Sequence, residues 1–158
     1  MDNYTIRRAT KADSDAVLNI ACRCWEIIYD GYRQILGDEL YAQIYNQPLE
    51  AKMRDIIQEM LEDRTFVAEL DGVICGFASY RIDGTTGVVG HNAVLPEYKG
   101  RGIAGRLYEY VFEQFRAHGC TLATVLTGLD DGHAPARRAY QKMGFEVGLP
   151  SIRYYKKL

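Results

Sequence analysis

The stretch "PEYKGRGIAGRL", residues 96–107, decides the fold because it joins a glycine-rich turn directly to an amphipathic helix. Its glycines, Gly100, Gly102 and Gly105, spell G-x-G-x-x-G, a pattern also found in dinucleotide-binding proteins. Glycines let a backbone approach a ligand closely, and the first turn of a helix offers unpaired, partly positive N–H groups. The stretch therefore suits a phosphate, with a solvated glycine-rich turn as the alternative.

The dinucleotide-binding interpretation fails on the position of the motif. A Rossmann fingerprint follows the first strand closely, and an acidic residue stands about twenty residues further on. Here four predicted strands precede the glycines, and "LPEYK" separates them from the fourth. The position about twenty residues past Gly105 falls within "TVLTG", which contains no acid. A nicotinamide or flavin cofactor is therefore not favoured.

The composition indicates one domain without a general affinity for nucleic acid. The 158 residues suffice for one buried core, and 19 basic against 21 acidic side chains give a formal charge of -2. The apolar runs are too short for a membrane span, and "MDNYTIRRATKADSD" lacks the apolar core of a signal peptide. We expect a single domain over residues 1–158, a cytoplasmic location, and no nucleic-acid or membrane partner.

The cysteines predict buried free thiols rather than a metal site or disulfides. Their spacing matches neither a zinc site nor a disulfide framework, and they lie in apolar segments. A redox pair at Cys22 and Cys24 is the alternative, but a C-x-C on a helix directs the two side chains apart. We therefore expect no bound metal.

Hydrophobic periodicity predicts one strand and then helices in the amino-terminal part of the chain. "YTIRRAT" (4–10) alternates like a half-buried strand, and a T-x-x-D capping box at Thr10 and Asp13 begins a helix. An apolar stripe at spacings of three and four follows. "DELYAQIY" and "LEAKMRDIIQEMLEDR" form a second helical region, divided by Pro48.

The rest of the chain predicts alternating strands and helices. A D-G turn at residues 71–72 joins two β-rich runs into a hairpin, and "GVVGHNAV" follows as a fourth strand. Next come a helix from Gly102 to about His118, the strand "CTLATVLT" and the helix "HAPARRAYQKMGF". "IRYYKKL" closes the chain as a strand, and "FEV" is a candidate short strand. The predicted order is β-α-α-β-β-β-α-β-α-β.

Two spaced motifs lie on either side of the predicted fifth strand. Lys99-Gly100-Arg101-Gly102-Ile103-Ala104 follows "AVLPEY", and "HAPARRAYQKMGF" (133–145) places Ala, Tyr and Gly-Phe at fixed intervals. They are similar to Q/R-x-x-G-x-G/A and N-x-x-A-x-x-x-Y-x-x-x-G-F of the GNAT superfamily of acetyl-CoA-dependent N-acetyltransferases. Lys99 stands where Gln or Arg is usual, and His133 where Asn is usual. The chain resembles a GNAT protein along essentially its whole length.

This resemblance implies a fold and an acyl donor. The fold is α/β (α+β), with a mixed, mostly antiparallel central sheet of six to seven strands flanked by about four helices. The donor is acetyl-CoA, whose pyrophosphate would lie on backbone N–H groups at the helix start, while the pantetheine arm pairs with strand four. His133 would either contact the pantetheine or cap the last helix. The implied coenzyme A contacts are Asn92, Ala93, Val94, Gly100, Arg101, Gly102, Ile103, Ala104, Gly105, Arg106 and His133.

The resemblance also implies the reaction, in which a neutral amine attacks the thioester directly in a ternary complex. Tyr140 matches the family tyrosine and is the candidate general acid, with a core aromatic as the alternative. Backbone near Val94 is the expected oxyanion contact. The glutamate that relatives carry on strand four or five is missing at Val88 and about Gly128. His91 is then the candidate base, with a water chain or deprotonation in solution as the alternative.

Tyrosines concentrate in "WEIIYDGY" (25–32), where the first helix of GNAT relatives walls the acceptor side. The expected acceptor is a primary amine of a small molecule or peptide, and neither charge nor composition selects between these. A non-catalytic acyl-CoA-binding sensor is the alternative function, and a homodimer is compatible with the resemblance. The residues expected in the acceptor pocket, unless they belong to the core, are Trp25, Glu26, Tyr29, Tyr32 and Tyr154.

Overall fold

The computed structural model describes residues 4–158, which form one sheet with helices on both faces. The strands are β1 (Thr5–Arg8), β2 (Thr65–Leu70), β3 (Val73–Asp83), β4 (Thr86–Val94) and β5 (Leu122–Val125). They lie side by side in chain order, and each pair is antiparallel except β4 and β5, which are parallel. The mixed, mostly antiparallel sheet implied by the resemblance is confirmed.

Two helical layers enclose this sheet. The helices are α1 (Ser14–Leu36), α2 (Asp38–Ile44), α3 (Pro48–Leu61), α4 (Ile103–Ala117) and α5 (Ala134–Lys142). α1 and α3 cover one face, where Val17, Ile20 and Ile56 pack with Phe77 of β3. α4 and α5 cover the other face, and the apolar stripe predicted for α4 is buried there.

The predicted capping box leads into α1 and also ties it to the sheet. The Thr10 backbone N–H donates to Asp13 Oδ2 over 2.7 Å, and Arg7 donates two bonds of 2.8 Å to the same carboxylate. Arg7 also donates to Glu69 of β2 over 2.9 Å. Because the bonds from Arg7 favour the charged carboxylate, the pKa of Asp13 falls to about 2.

β4 separates from β5 partway along its length. The parallel pairing ends at Val89 and Val125, whereas β4 continues to Val94 in register with β3. A shift in that register places residues 90–91 together opposite Ser79, which is the geometry of a β-bulge. Beyond the bulge, one edge of β4 is paired with β3 and the other faces a gap.

The strand count differs from the prediction. Among residues 4–158 the sheet has five strands rather than six to seven, because "FEV" and "IRYYKKL" form neither helix nor strand. Alternating residues favour a strand, but a strand forms only where its backbone groups find a hydrogen-bonding partner. The same residues contain five α-helices rather than about four, since Gly37, with a φ of 76°, separates α1 from α2.

Candidate active site

The glycine-rich turn leads into the amino terminus of α4. Gly100 and Gly102 both have a φ of 80°, a left-handed backbone that other residues rarely adopt. Gly102 is the N-cap of α4, and its carbonyl accepts the Arg106 N–H over 3.2 Å. The N–H groups of residues 103–105 precede that bond, so they have no intrahelical acceptor and carry the positive end of the helix dipole. These three donors fit a phosphate group.

The two arginines of the turn have different surroundings. The Arg101 guanidinium lies 5.4 Å from the centre of the Tyr98 ring, beside the turn. Arg106 forms an ion pair with Glu109 on the surface of α4, and its guanidinium lies 5.9 Å from the Tyr110 ring centre. The Arg106 N–H is bonded within α4, and a contact of its guanidinium with the phosphate stays a prediction.

Tyr140 of α5 reaches β4 through a network of neutral groups. Asn92 Nδ2 donates to the Tyr140 hydroxyl over 3.0 Å, and the Tyr108 hydroxyl donates to Asn92 Oδ1 over 2.8 Å. Both phenols are buried, with ring centroids 5.6 Å apart. Burial raises the pKa of Tyr140 above that of a free phenol, so its hydroxyl stays neutral and is oriented by Asn92.

His91 lies on the opposite face of the sheet, within a network of charged groups. Its Nδ1 is 2.9 Å from Glu59 Oε2 and its Nε2 is 3.1 Å from Lys52 Nζ, both on α3. The Ser79 hydroxyl donates to the same Glu59 oxygen over 2.6 Å. Because a carboxylate only accepts, Nδ1 donates its hydrogen to Glu59, and Nε2 faces the amine of Lys52. Burial lowers the pKa of Lys52.

The local structure of β4 explains why these two networks are separate. Successive side chains of a strand point to opposite faces, so His91 and Asn92 diverge. Gly90 leaves the space that the charged network occupies, because a Cβ there would lie 2.4 Å from the Ser79 hydroxyl and 3.2 Å from Glu59 Oε1. The bulge and this glycine together direct His91 to α3.

Two cavities lie among α1, α2 and α3, on the His91 face of the sheet. One of about 310 Å³ is lined in part by Glu26 and Tyr29, and one of about 260 Å³ by Tyr29 and Lys52. The Trp25 ring lies 5.9 Å from the His91 ring, and Lys52 Nζ lies 5.6 Å from the Trp25 ring centre. Three predicted pocket residues therefore lie together, and Lys52 connects the smaller cavity to His91.

Of the remaining predicted residues, Tyr32 and His133 contact each other, whereas Tyr154 lies apart from the site. Tyr32 stacks on His133 with ring centroids 6.2 Å apart, and burial raises the pKa of Tyr32 to about 12. His133 occupies the N-cap position of α5, yet among the described residues its side chain makes no capping bond and its Nδ1 lies 2.7 Å from Asp130 Oδ2. Capping by His133 is thus excluded. Tyr154 is 84% exposed and lies outside both cavities.

Three side chains of the networks do not follow from the sequence motifs, namely Lys52, Glu59 and Tyr108. Lys52 and Glu59 stand four residues before and three residues after the fully buried Ile56 of α3. Polar side chains therefore interrupt the apolar stripe of a buried helix face, which is a signal that the sequence contains. Their pairing with His91 is not visible in the sequence, because it spans 32 residues or more.

Comparison with known proteins decides the family. The profile described as "Acetyltransferase (GNAT) family" matches residues 17–145. The chain belongs to the GNAT acetyltransferase family. This membership confirms the resemblance seen in the two motifs, and the chain is accordingly an acetyltransferase with acetyl-CoA as its donor.

Solved GNAT structures share this fold over most of their length. The aminoglycoside N-acetyltransferase AAC(6')-Iy in complex with CoA is 20% identical with a TM-score of 0.69, covering 99% of this chain and 96% of that chain. The PaiA N-acetyltransferase of Thermoplasma acidophilum in complex with coenzyme A is 18% identical with a TM-score of 0.71, covering 92% and 91% respectively. At these identities the likeness establishes the GNAT fold.

Other kinds of site are absent from the part of the chain that the structure describes. No helix there is long and apolar enough to cross a membrane. No group of three His, Cys, Asp or Glu side chains converges on a point where a metal ion could bind, again within residues 4–158. All four cysteines are free thiols, as predicted, but their predicted burial is confirmed for Cys75 alone, because Cys22, Cys24 and Cys120 are partly exposed.

Proposed function

We propose that this GNAT protein transfers the acetyl group of acetyl-CoA to a primary amine of a small molecule or peptide, by direct attack within a ternary complex. The observation that carries the proposal is the pair of networks at consecutive residues of β4. On one face of the sheet, Asn92 is bonded to the buried phenol of Tyr140. On the other face, the His91 imidazole is bonded to the Glu59 carboxylate. Aminolysis of a thioester needs both a proton donor and a proton acceptor, and both networks start at residues of β4 that lie beyond its pairing with β5.

The glycine-rich turn and the gap would hold the donor. The N–H groups of residues 103–105 suit the pyrophosphate, with the Arg101 guanidinium beside them. The edge of residues 92–94 that faces the gap would pair with the pantetheine arm and offer backbone N–H groups to the carbonyl oxygen. Acetyl-CoA supplies the activated acyl group as a thioester.

Tyr140 acts as the general acid. Its oxygen accepts a hydrogen bond from Asn92 Nδ2 over 3.0 Å, and its hydroxyl donates to Asn92 Oδ1 over a longer 3.3 Å, so this hydrogen would turn from Asn92 to the sulfur. Because burial raises the pKa of Tyr140, the phenol remains protonated at neutral pH. The proton passes from Tyr140 Oη to the sulfur as coenzyme A leaves, which prevents expulsion of a free thiolate.

His91 accepts the proton of the attacking amine at Nε2. The Glu59 carboxylate holds Nδ1–H, so that Nε2 is the acceptor, and it also stabilises the imidazolium that forms. Lys52 Nζ lies 3.1 Å from Nε2, which shows that an amine nitrogen fits at this position. The nitrogen of the acceptor would take the place of Lys52 Nζ there. The cavity that Lys52 lines provides the route.

The acceptor side suits a cationic amine. The larger cavity is lined by the carboxylates of Glu26, Asp30 and Glu50 together with the rings of Tyr29 and Tyr41. Carboxylates attract an ammonium group, and the faces of tyrosine rings add cation–π contacts. The sensor alternative is weakened, because Glu59 of α3 supplies a carboxylate that β4 lacks at Val88.

Release of coenzyme A, measured as free thiol across a panel of primary amines, tests the proposal. With a productive amine we expect His91→Gln to lower kcat/KM about 100-fold, because the amide cannot accept the proton. The calorimetric Kd for coenzyme A should stay unchanged. The matched control is His118→Gln, since His118 is exposed and bonded to Gln114 of α4.

Two outcomes would contradict this proposal. Tight binding of acetyl-CoA without thiol release for any amine would identify a sensor instead. Equal turnover by the His91→Gln and His118→Gln variants would remove His91 from the mechanism and leave deprotonation to solvent.

A further inference from the structure

Lys52 differs from the other lysines of the chain in its surroundings. It is half-buried on α3, where its Nζ lies 5.6 Å from the Trp25 ring centre and 3.1 Å from His91 Nε2. All six lysines lie within residues 4–158, and the other five are exposed. The exposed ones are Lys11, Lys99, Lys142, Lys156 and Lys157. The fold itself therefore places a primary amine at the nitrogen that would deprotonate an acceptor.

The surroundings of Lys52 favour the neutral amine, which is the form that attacks a thioester. Burial lowers the pKa of Lys52, and this effect outweighs the attraction of the Asp55 and Glu59 carboxylates, which raises it. An amine with a lowered pKa has a larger neutral fraction near pH 7 than a solvated lysine has. Desolvation of this kind is one way in which proteins activate a lysine as a nucleophile.

The charged network holds this amine and the His91 ring against each other. Glu59 Oε2 lies 2.9 Å from His91 Nδ1 and accepts the Ser79 hydroxyl over 2.6 Å, so the imidazole is held from the side opposite Nε2. Ile56, which is fully buried, packs the same helix on the sheet one turn after Lys52. Groups held in contact within one molecule react far faster than the same groups free in solution.

We propose that Lys52 is itself an acetyl acceptor, so that the enzyme acetylates its own Lys52 Nζ when no amine substrate occupies the site. The inference rests on the proposed function, because it uses the same donor and the same proton-transfer groups.

The self-acetylation step is balanced without any further reactant. Lys52 Nζ attacks the thioester carbonyl carbon, so that a C–N bond forms and the C–S bond breaks. The amine proton passes to His91 Nε2, and the Tyr140 hydroxyl gives its proton to the sulfur. Proton exchange with solvent restores His91 and Tyr140. The products are Nε-acetyl-Lys52 and coenzyme A.

Acetylation of Lys52 would block the acceptor position. The product is a neutral amide, and its acetyl group takes up space in the cavity of about 260 Å³ that Lys52 lines. An incoming amine then cannot take the place of Nζ at His91. The modified enzyme should therefore lose turnover, whereas an amine substrate that reaches His91 first should protect Lys52.

Acetyl-CoA with an isotope-labelled acetyl group, added to the full chain without any amine, tests the proposal. Mass spectrometry of the intact protein and of its peptides should show the label on Lys52 well before it appears on the exposed lysines. Labelling of Lys52 should be about 100-fold slower in His91→Gln, because the amide accepts no proton. The exposed change His118→Gln should leave it unchanged. The rate should not depend on protein concentration, since attack occurs within one chain.

Preincubation with acetyl-CoA connects the modification to activity. The wild-type protein should lose turnover of a productive amine in proportion to the label on Lys52. Lys52→Met should keep its own full rate after the same treatment. Lys11→Met, which removes an exposed lysine, should lose turnover as the wild type does. The productive amine, added before acetyl-CoA, should slow the labelling of Lys52.

The contrary outcomes separate this inference from the proposed function. Turnover of an amine without label on Lys52 would overturn the inference and leave the proposed function standing. Labelling of Lys52 at the rate of the exposed lysines, or equally fast in His91→Gln, would show uncatalysed acetylation and overturn it as well. A rate that rises with protein concentration would show transfer between chains and do the same. Absence of both label and turnover would overturn both proposals.

Discussion

The two faces of β4 carry different chemistry at neighbouring residues. Asn92 connects to two phenols, Tyr108 and Tyr140, and every group in that network is neutral. His91 connects to Glu59 and Lys52, so the other network contains a carboxylate and an amine. The difference shows how one strand can separate a proton donor that must stay neutral from a base that must become charged.

Removal of the donor hydroxyl is the strongest test of the neutral network. Tyr140→Phe should lower kcat about 100-fold at saturating acetyl-CoA, because the leaving thiolate loses its proton source. The Kd for coenzyme A should change less than about 2-fold in calorimetry. Tyr108→Phe is the matched control, since it removes another buried hydroxyl bonded to Asn92. If both variants lose activity equally, Tyr140 serves orientation alone.

Removal of the carboxylate tests the charged network. Glu59→Gln should lower kcat/KM for the amine about 10-fold, because the imidazolium loses its stabilising charge while the hydrogen-bonding shape remains. Glu62→Gln, an exposed change at the end of the same helix, should leave the rate unchanged. Steady-state thiol release measures both. A Glu59→Gln enzyme with a normal pH–rate profile would mean that the network is structural.

Lys52 is the third member of the charged network, and its amine faces His91 Nε2. Lys52→Met should raise kcat/KM about 3-fold near pH 7, because the ammonium that faces Nε2 no longer competes with the acceptor. Burial lowers the pKa of Lys52, so this gain should shrink as the pH rises and the wild-type lysine loses its charge. Initial rates from pH 6 to 10 measure the effect. A loss of activity would identify Lys52 as a proton carrier.

The cluster of Arg7, Asp13 and Glu69 lies outside both networks, so it tests the stability of the fold alone. Asp13→Asn should lower the free energy of unfolding by roughly 1–2 kcal/mol at pH 7 and leave kcat unchanged. The folded pKa of about 2 is below the ordinary 3.8, so the stabilisation is present above pH 4 and is lost as the pH falls towards 2. Urea unfolding at pH 7 and pH 2.5 measures this, with Asp15→Asn as the exposed control. A constant difference at both pH values would contradict it.

Local sequence predicted the elements whose causes are local. The capping box at Thr10 and Asp13, the glycine-rich turn before α4 and the apolar stripe of α4 occur where spacing placed them. The last strand was wrong for a different reason. "IRYYKKL" has strand propensity, but pairing depends on a second strand, and no residue near it in sequence supplies one.

The sequence by itself determined the family, through two motifs. Their residue spacing is imposed by a phosphate-binding turn and by a helix. The family in turn implied the mixed sheet and the acyl donor. The roles of Tyr140 and His91 stay predictions. Only the tertiary structure decided what surrounds them: Glu59 and Lys52 reach His91 across more than thirty residues because α3 packs on the bulge at Gly90. Side-chain partners of this kind depend on which elements pack together, and packing is a property of the whole chain.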